Sequence, residues 1–290
     1  MPELPEVETI VNDLSSLMVN KFIIQIKIID HKLINLSTKH NQKLIIDQSI
    51  KKVSRRAKNI IIHLSNDYRL VIHLKMTGQM IWEGRDHWLA GGHPTNDLSS
   101  DIKPTWPNKS TRVIISLSDG SQLFFNDSRR FGWIKLMAEK DWLEYQSKLG
   151  IEPLSLDFND EFLKKFFLDR PKSKIKTLLL EQKRLAGLGN IYVDESLFKS
   201  GIRPDRLAKT LTVLEIKKLR KNIVNILQQS ISQRGTSFSD YRDGRGRTGN
   251  FIEQLQVYGR SDKKCLHCNN LIKKIKLAGR GTHFCPNCQK

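Results

Sequence analysis

Cysteine is absent from the first 264 residues of this 290-residue chain, and all four cysteines fall within the last 26. A disulfide framework spanning the chain is therefore excluded. Long apolar runs are missing as well. Although 39% of the residues are hydrophobic, no run approaches the roughly 18–20 residues of a membrane-spanning helix. The amino terminus, Met1-Pro-Glu-Leu-Pro-Glu6, lacks the basic start and apolar stretch of an export signal, so a cytoplasmic protein is expected. There is no internal repeat and no low-complexity tract. Acidic residues are scarce: 30 Asp and Glu stand against 49 Lys and Arg, a formal charge of +19. That excess suits a polyanion, because cations that neutralise phosphates release condensed counterions. No amphipathic anchor points to acidic lipid, so nucleic acid is the expected partner. The length favours two domains over one.

The cysteines form two CxxC pairs, Cys265-Leu-His-Cys268 and Cys285-Pro-Asn-Cys288, with 16 residues between them. This is the spacing of two zinc knuckles joined by a β-hairpin, and it predicts one structural Zn²⁺. Two disulfides are the alternative, disfavoured in a cytoplasmic chain. His267 and His283 lie close by, yet four thiolates already complete a tetrahedron.

Along the chain, Val7, Ile10, Val11, Leu14, Leu17 and Met18 keep helical spacing after Pro5. Phe22, Ile24, Ile26 and Ile28 alternate as in a half-buried strand, and Asn59–Leu64, Arg69–Leu74, Arg112–Leu117, Gln122–Phe125 and Trp133–Met137 also read as strands. Residues 83–110, rich in Gly, Pro, Asn and Ser, read as a long surface loop. From about residue 139 the period becomes helical, over Asp141–Leu149, Asp160–Leu168, Ile175–Gln182, Asn190–Lys199 and Val213–Gln233. Gly150-Ile-Glu-Pro153 suits a hinge, and Arg234–Asn250, with four glycines, reads as a mobile loop. The expected architecture is α+β. A β-sandwich with a leading helix occupies 1–137, a linker 138–152, a helical domain 153–250 and a four-cysteine zinc finger 251–290.

The segments Met1-Pro-Glu-Leu-Pro-Glu-Val-Glu-Thr9, Arg55-Arg-Ala-Lys58, His73-Leu-Lys-Met-Thr-Gly78, Asp127-Ser-Arg-Arg-Phe-Gly132, Gly187-Leu-Gly-Asn-Ile-Tyr192 and Gln256-Val-Tyr-Gly-Arg260 precede the zinc motif. In that colinear order the chain resembles the bacterial formamidopyrimidine-DNA glycosylase family. The resemblance implies a monomeric base-excision enzyme that binds duplex DNA in a cleft between its domains. It would remove 8-oxoguanine and formamidopyrimidines through a Schiff base, then cut the strand by β- and δ-elimination.

The resemblance also implies roles for individual residues. Pro2, exposed once Met1 is removed, would be the nucleophile, since an α-amino group titrates near pH 8, far below a lysine. Glu3 would be the general acid/base. Glu6 and Glu8 are rival carboxylates, better read as first-turn acids favoured by the helix dipole. Lys58 would assist elimination and contact a phosphate. Met76, Arg129 and Phe131 would fill the void left by a flipped nucleotide, with Arg129 donating to the orphaned cytosine. Arg130 would contact the backbone. Asn190, expected to cap a helix whose N-terminus favours anions, would contact DNA from a helix-two-turn-helix domain, and Tyr258 from the zinc-finger segment. Arg280 would grip phosphate at the tip of the zinc hairpin and take part in δ-elimination.

Two positions depart from the family pattern. Lys109-Ser-Thr-Arg112 stands where Lys-His-x-His is usual, leaving Arg112 to hold a phosphate, and Lys75 stands where Gly is common, which a strand position would tolerate. Two rivals remain: an endonuclease VIII-like glycosylase for oxidised pyrimidines, against which Leu4 and the Arg129/Phe131 pair argue, and a non-catalytic zinc-ribbon DNA-binding protein, which would have no need of a nucleophilic terminus.

Overall fold

The computed structural model describes residues 1–30, 38–92, 105–236 and 250–290. The chain divides into two compact units, Met1–Ser147 with Arg234–Asn250, and Lys148–Gln233 with Phe251–Lys290.

In the first unit, helix α1 (Leu4–Met18) starts from Glu3, whose extended backbone makes it the N-cap. Glu3 and Glu6 form a reciprocal capping box, in which the Glu3 N–H donates to Glu6 Oε2 at 2.8 Å. The buried stripe Leu4, Val7, Ile10, Val11, Leu14 and Met18 is the one the helical spacing predicts. A short helix α2 (Lys39–Lys43) follows the first strand, and the strands of this unit form two antiparallel sheets. The five-stranded sheet has the order β1 (Ile23–Ile28), β7 (Thr111–Leu117), β8 (Gln122–Asp127), β5 (Gly78–Glu83), β6 (Trp88–Gly92). The four-stranded sheet has the order β2 (Ile50–Arg56), β3 (Asn59–Leu64), β4 (Arg69–His73), β9 (Trp133–Met137).

Ile60, Ile62 and Ile72 from one sheet and Val113, Ile115, Leu123 and Phe125 from the other share a core with α1. Because side chains alternate along a strand, Ile81, Ile114 and Phe124 point away from that core. They are covered by Trp88 and Trp106. Ile61 and Val71 are covered by Trp142 of α3 (Glu139–Ser147). The expected loop 83–110 thus contains strand β6 and the aromatic lid of a sheet, although residues 93–104 lie outside the described ones. Helix α3 similarly gives the expected linker 138–152 a packing duty.

The second unit packs α4 (Asp160–Leu168), α5 (Ile175–Leu179), α6 (Asn190–Ser200) and α7 (Val213–Ser232) around one core, and ends in the hairpin β10 (Lys273–Leu277) and β11 (Arg280–Phe284). Helix α6 stops at Gly201 (φ 75), and α7 starts with a Thr212/Glu215 capping box. Gly150, read as a hinge, is fixed by close approach: a Cβ there would meet the Arg184 carbonyl carbon at 2.1 Å.

Residues 234–236, expected in the helical domain, pack on α1 instead. Arg234 Nη2 donates to Asp13 at 2.6 Å, and Thr236 donates its N–H and hydroxyl to Glu6 Oε1 at 2.8 and 2.9 Å. The rest of the loop expected over Arg234–Asn250, residues 237–249, lies outside the described ones.

Candidate catalytic and nucleic-acid-binding site

The amino terminus is the chemical focus of the first unit. Met1 is 41% exposed, whereas Pro2 is buried and Glu3 is 3% exposed. Lys58 occupies the two-residue turn between β2 and β3, after Ala57 at φ 56, yet it is 5% exposed. A lysine in a hairpin turn ordinarily points to water, so its burial here reflects a specific environment. The Met1 amine has its pKa lowered from 8.0, first by burial and also by the Lys58 charge, while Glu3 and Glu6 act in the opposite sense. Glu6 is not a spare acid: its two oxygens are occupied by Glu3 N–H and by Thr236. Glu8 pairs with Arg55 of β2, which locks α1 to the sheet.

A second group of predicted residues gathers at the ends of β4, β5 and β8. Met76 is 40% and Phe131 50% exposed, unusual for large apolar side chains. The Arg129 guanidinium lies over the Phe131 ring, 4.7 Å from its centroid. Arg130, at φ 58, pairs with Asp30 at 3.2 Å. Lys75 adopts φ 51, so it is a left-handed turn residue and not the strand residue expected from sequence. That geometry explains why glycine suits the position. His73 Nδ1 accepts the Lys75 N–H at 3.0 Å. Burial, followed by the charges of Lys75 and Lys58, pushes the His73 pKa down to about 3, so the ring stays a neutral acceptor.

Behind this surface, Asp127 is fully buried. Its Oδ1 accepts from the Thr77 hydroxyl and, at 3.2 Å, from the Arg129 N–H; its Oδ2 accepts the Gly132 N–H at 2.6 Å. Arg112, expected on a phosphate, is 7% exposed and donates Nε to the Asp127 carbonyl at 2.9 Å. The sequence reading missed Thr77 and Asp127. The signal was present, because both lie inside motifs singled out for their neighbours.

In the second unit, Gly189 is the N-cap of α6, without a side-chain bond, and Asn190 is the first helical residue. Asn190 does not cap the helix as expected; its amide Nδ2 donates to the Gly281 carbonyl at 2.9 Å. Lys176 Nζ reaches the same carbonyl at 3.1 Å and Asp194 Oδ1 at 2.6 Å. Asp194 Oδ2 accepts the His283 N–H at 2.9 Å. The Lys176–Asp194 pair is 1% and 0% exposed. Removing one member leaves an uncompensated buried charge, so Lys176→Met is expected to cost about 3–5 kcal/mol. Chemical denaturation of the variant checks this; unchanged stability would sink the assignment. The hairpin tip turns through Ala278 (φ 47) and Gly279 (φ 76), a tight two-residue turn that leaves Arg280 exposed. Tyr258 stacks edge-on against His283, ring centroids 5.0 Å apart.

The four cysteine sulfurs all lie within 4.8 Å of one another. The Cys265–Cys288 and Cys268–Cys285 separations are 3.9 and 3.4 Å. Tetrahedral Zn–S bonds of about 2.3 Å require sulfurs about 3.8 Å apart, so the cluster fits one structural zinc ion. His267 is not needed for coordination and stacks on Phe198, centroids 5.1 Å apart.

Three family models match in order. They are the formamidopyrimidine-DNA glycosylase N-terminal domain over residues 1–134, the formamidopyrimidine-DNA glycosylase H2TH domain over 149–241, and a zinc finger found in FPG and IleRS over 262–290. The formamidopyrimidine-DNA glycosylase of Pelotomaculum thermopropionicum is 42% identical, with 100% of this chain and 99% of that protein covered. That of Brevibacillus brevis is 39% identical, with the same coverage. Among solved structures, the Lactococcus lactis Fpg in complex with an abasic site containing DNA gives a TM-score of 0.85 at 34% identity, covering 100% of both chains. A Lactococcus lactis FPG variant in complex with a Fapy-dG containing DNA gives 0.85 at 35% identity, again over 100% of both chains.

Proposed function

Because the chain belongs to the formamidopyrimidine-DNA glycosylase family, and is thus a zinc-finger DNA glycosylase of DNA repair, we propose a specific chemistry for it: excision of 8-oxoguanine and formamidopyrimidines from duplex DNA, followed by strand cleavage. The mature chain begins at Pro2. Its secondary amine attacks C1′ of the flipped nucleotide as the C1′–base bond breaks and the base departs with a proton; Glu3 then protonates O4′ as the C1′–O4′ bond opens, and the iminium so formed acidifies the neighbouring sugar hydrogens. Lys58 assists the β-elimination that follows, and Arg280 the δ-elimination. The reading includes a monomer acting in the bacterial cytoplasm. The relatives named above are bacterial, and no helix among the described residues is long and apolar enough to cross a membrane.

One observation carries this reading: two ionisable side chains, Glu3 and Lys58, are buried beside a chain terminus whose amine is held below its ordinary pKa. Burying such charges is costly, and an acid and a lysine gathered at a buried chain terminus are what proton transfer to and from a terminal nucleophile requires. Borohydride trapping on an 8-oxoguanine:cytosine duplex tests it. No covalent adduct on that duplex, with trapping on an oxidised-pyrimidine duplex, would favour endonuclease VIII-like specificity; no adduct on either would leave binding alone.

The void-filling roles of Met76, Arg129 and Phe131 belong to the same reading. Arg129→Ala is expected to cost about 1–3 kcal/mol of discrimination between cytosine and adenine opposite the lesion. Phe131→Ala should slow excision opposite either base. Single-turnover rates on the two duplexes check both outcomes, and an unchanged cytosine preference in Arg129→Ala would assign partner reading to another residue.

A further inference from the structure

We infer that Asp127, acting through the Thr77 hydroxyl, is the positioning residue that holds the wedge Met76 and the pair Arg129/Phe131 in register with one another. The inference rests on the reading of those three side chains as void fillers. Met76 is carried by the turn leaving β4, while Arg129 and Phe131 are carried by the turn leaving β8. Each turn is closed within itself. Gly78 N–H donates to the Leu74 carbonyl at 2.8 Å in the first, and Gly132 N–H donates to Asp127 Oδ2 at 2.6 Å in the second. The sheet ladders pair their ends, Gly78 with Asp127 and His73 with Trp133; between those ends the side-chain link is one carboxylate. Asp127 Oδ1 takes the Thr77 hydroxyl from the Met76 turn and the Arg129 N–H from the other, and the same Arg129 N–H lies 3.3 Å from Thr77 Oγ1.

The carboxylate itself is immobile. Asp127 is 0% exposed, its N–H donates to the Ser110 carbonyl at 2.8 Å, and its own carbonyl accepts Arg112 Nε at 2.9 Å. Gly132 cannot carry a side chain without crowding it, since a Cβ would meet Phe125 Cζ at 2.8 Å and Asp127 Oδ2 at 3.1 Å. An exposed wedge and an exposed arginine have little packing of their own to orient them. Their geometry is therefore set from below, by a buried acceptor whose low-dielectric surroundings strengthen each bond it receives. Arg112, where the family usually has a histidine, acts here as a brace on that acceptor.

Thr77→Val removes the hydroxyl and keeps the shape, Thr77→Ser restores it, and Asp127→Asn replaces an acceptor oxygen with a donor. Two activities of each preparation are compared: single-turnover excision from an 8-oxoguanine:cytosine duplex, and strand cleavage of a single-stranded abasic oligonucleotide, which has no stack to fill. Because the result is a ratio within one preparation, it does not depend on the folded fraction. Thr77→Val and Asp127→Asn are expected to lower the duplex-to-single-strand ratio roughly 10- to 100-fold, the size of effect an ångström of misplacement produces. They should also weaken the cytosine-over-adenine preference, and Thr77→Ser should recover both. An equal loss on the two substrates would show a merely structural role, and an unchanged ratio would show that the turns hold themselves; either overturns the inference. If Arg129→Ala and Phe131→Ala also leave the ratio unchanged, the void-filling reading itself has failed.

Discussion

Blocking the amino terminus, by a retained Met1 or an added tag, is expected to abolish base excision and borohydride trapping together, while DNA binding persists. Loss of a covalent nucleophile lowers turnover by about 10⁴-fold or more. The proposed phosphate contacts of Lys58, Asn190 and Arg280 are untouched by the block. Pro2→Gly keeps a terminal amine, though a primary one, and should retain part of the activity. Lys58→Ala should trap the adduct yet slow elimination. The pH dependence follows from burial: it already lowers the pKa of the Met1 amine from 8.0, and Pro2, buried where Met1 is 41% exposed, would carry its own amine in the same desolvating surroundings once Met1 is removed. Only the unprotonated amine attacks, so excision should rise with pH and level off below pH 8, earlier than for a solvent-exposed terminus. Mass spectrometry of the trapped peptide decides the matter: a DNA remnant on Lys58 or another lysine, instead of on residue 2, refutes the mechanism.

Cys268→Ser is expected to release the metal and, with it, DNA affinity. The finger has little core of its own: Cys265, Cys285, Val257 and Ile272 gather around Phe198 of α6. Structural zinc supplies an apparent 10–16 kcal/mol, roughly, in isolated fingers, more than so small a cluster could replace. Loss of zinc therefore frees the hairpin that presents Arg280. Metal content by atomic absorption and binding by a fluorescence titration check the two losses together. A metal-free preparation with undiminished DNA affinity would show that the finger is dispensable.

Much of this was legible in the chain itself. The α1 stripe, the strands β3, β4, β7, β8 and β9, and the zinc knuckles follow from period and spacing. Strand β2 was not read, because Ile50–Arg56 carries Lys51, Lys52, Arg55 and Arg56 and buries little beyond Ile50 and Val53. Strand β6 was hidden by the glycines around it and by its place within a polar loop. Asn190 was read as a cap because local sequence favours that role, but a carbonyl 91 residues away claims its amide. Tertiary partners of this kind leave no local trace. Nor do buried charges: Lys176, Asp194 and Asp127 look like solvated residues until the fold encloses them.

The carboxylate of Glu195, 4% exposed, accepts three successive backbone N–H groups, from Gln256, Val257 and Tyr258, at 2.9, 2.9 and 2.8 Å. Burial pushes its pKa up while those three amides pull it down. The chain is therefore moored to α6 just before the finger begins, by an attachment that contains no sulfur. Chelation should then peel the second unit apart in stages. Amide hydrogens beyond residue 259 exchange soon after the metal leaves, whereas those of residues 256–258 stay protected until α6 itself opens. The metal sets the life of the hairpin, and Glu195 the life of its root.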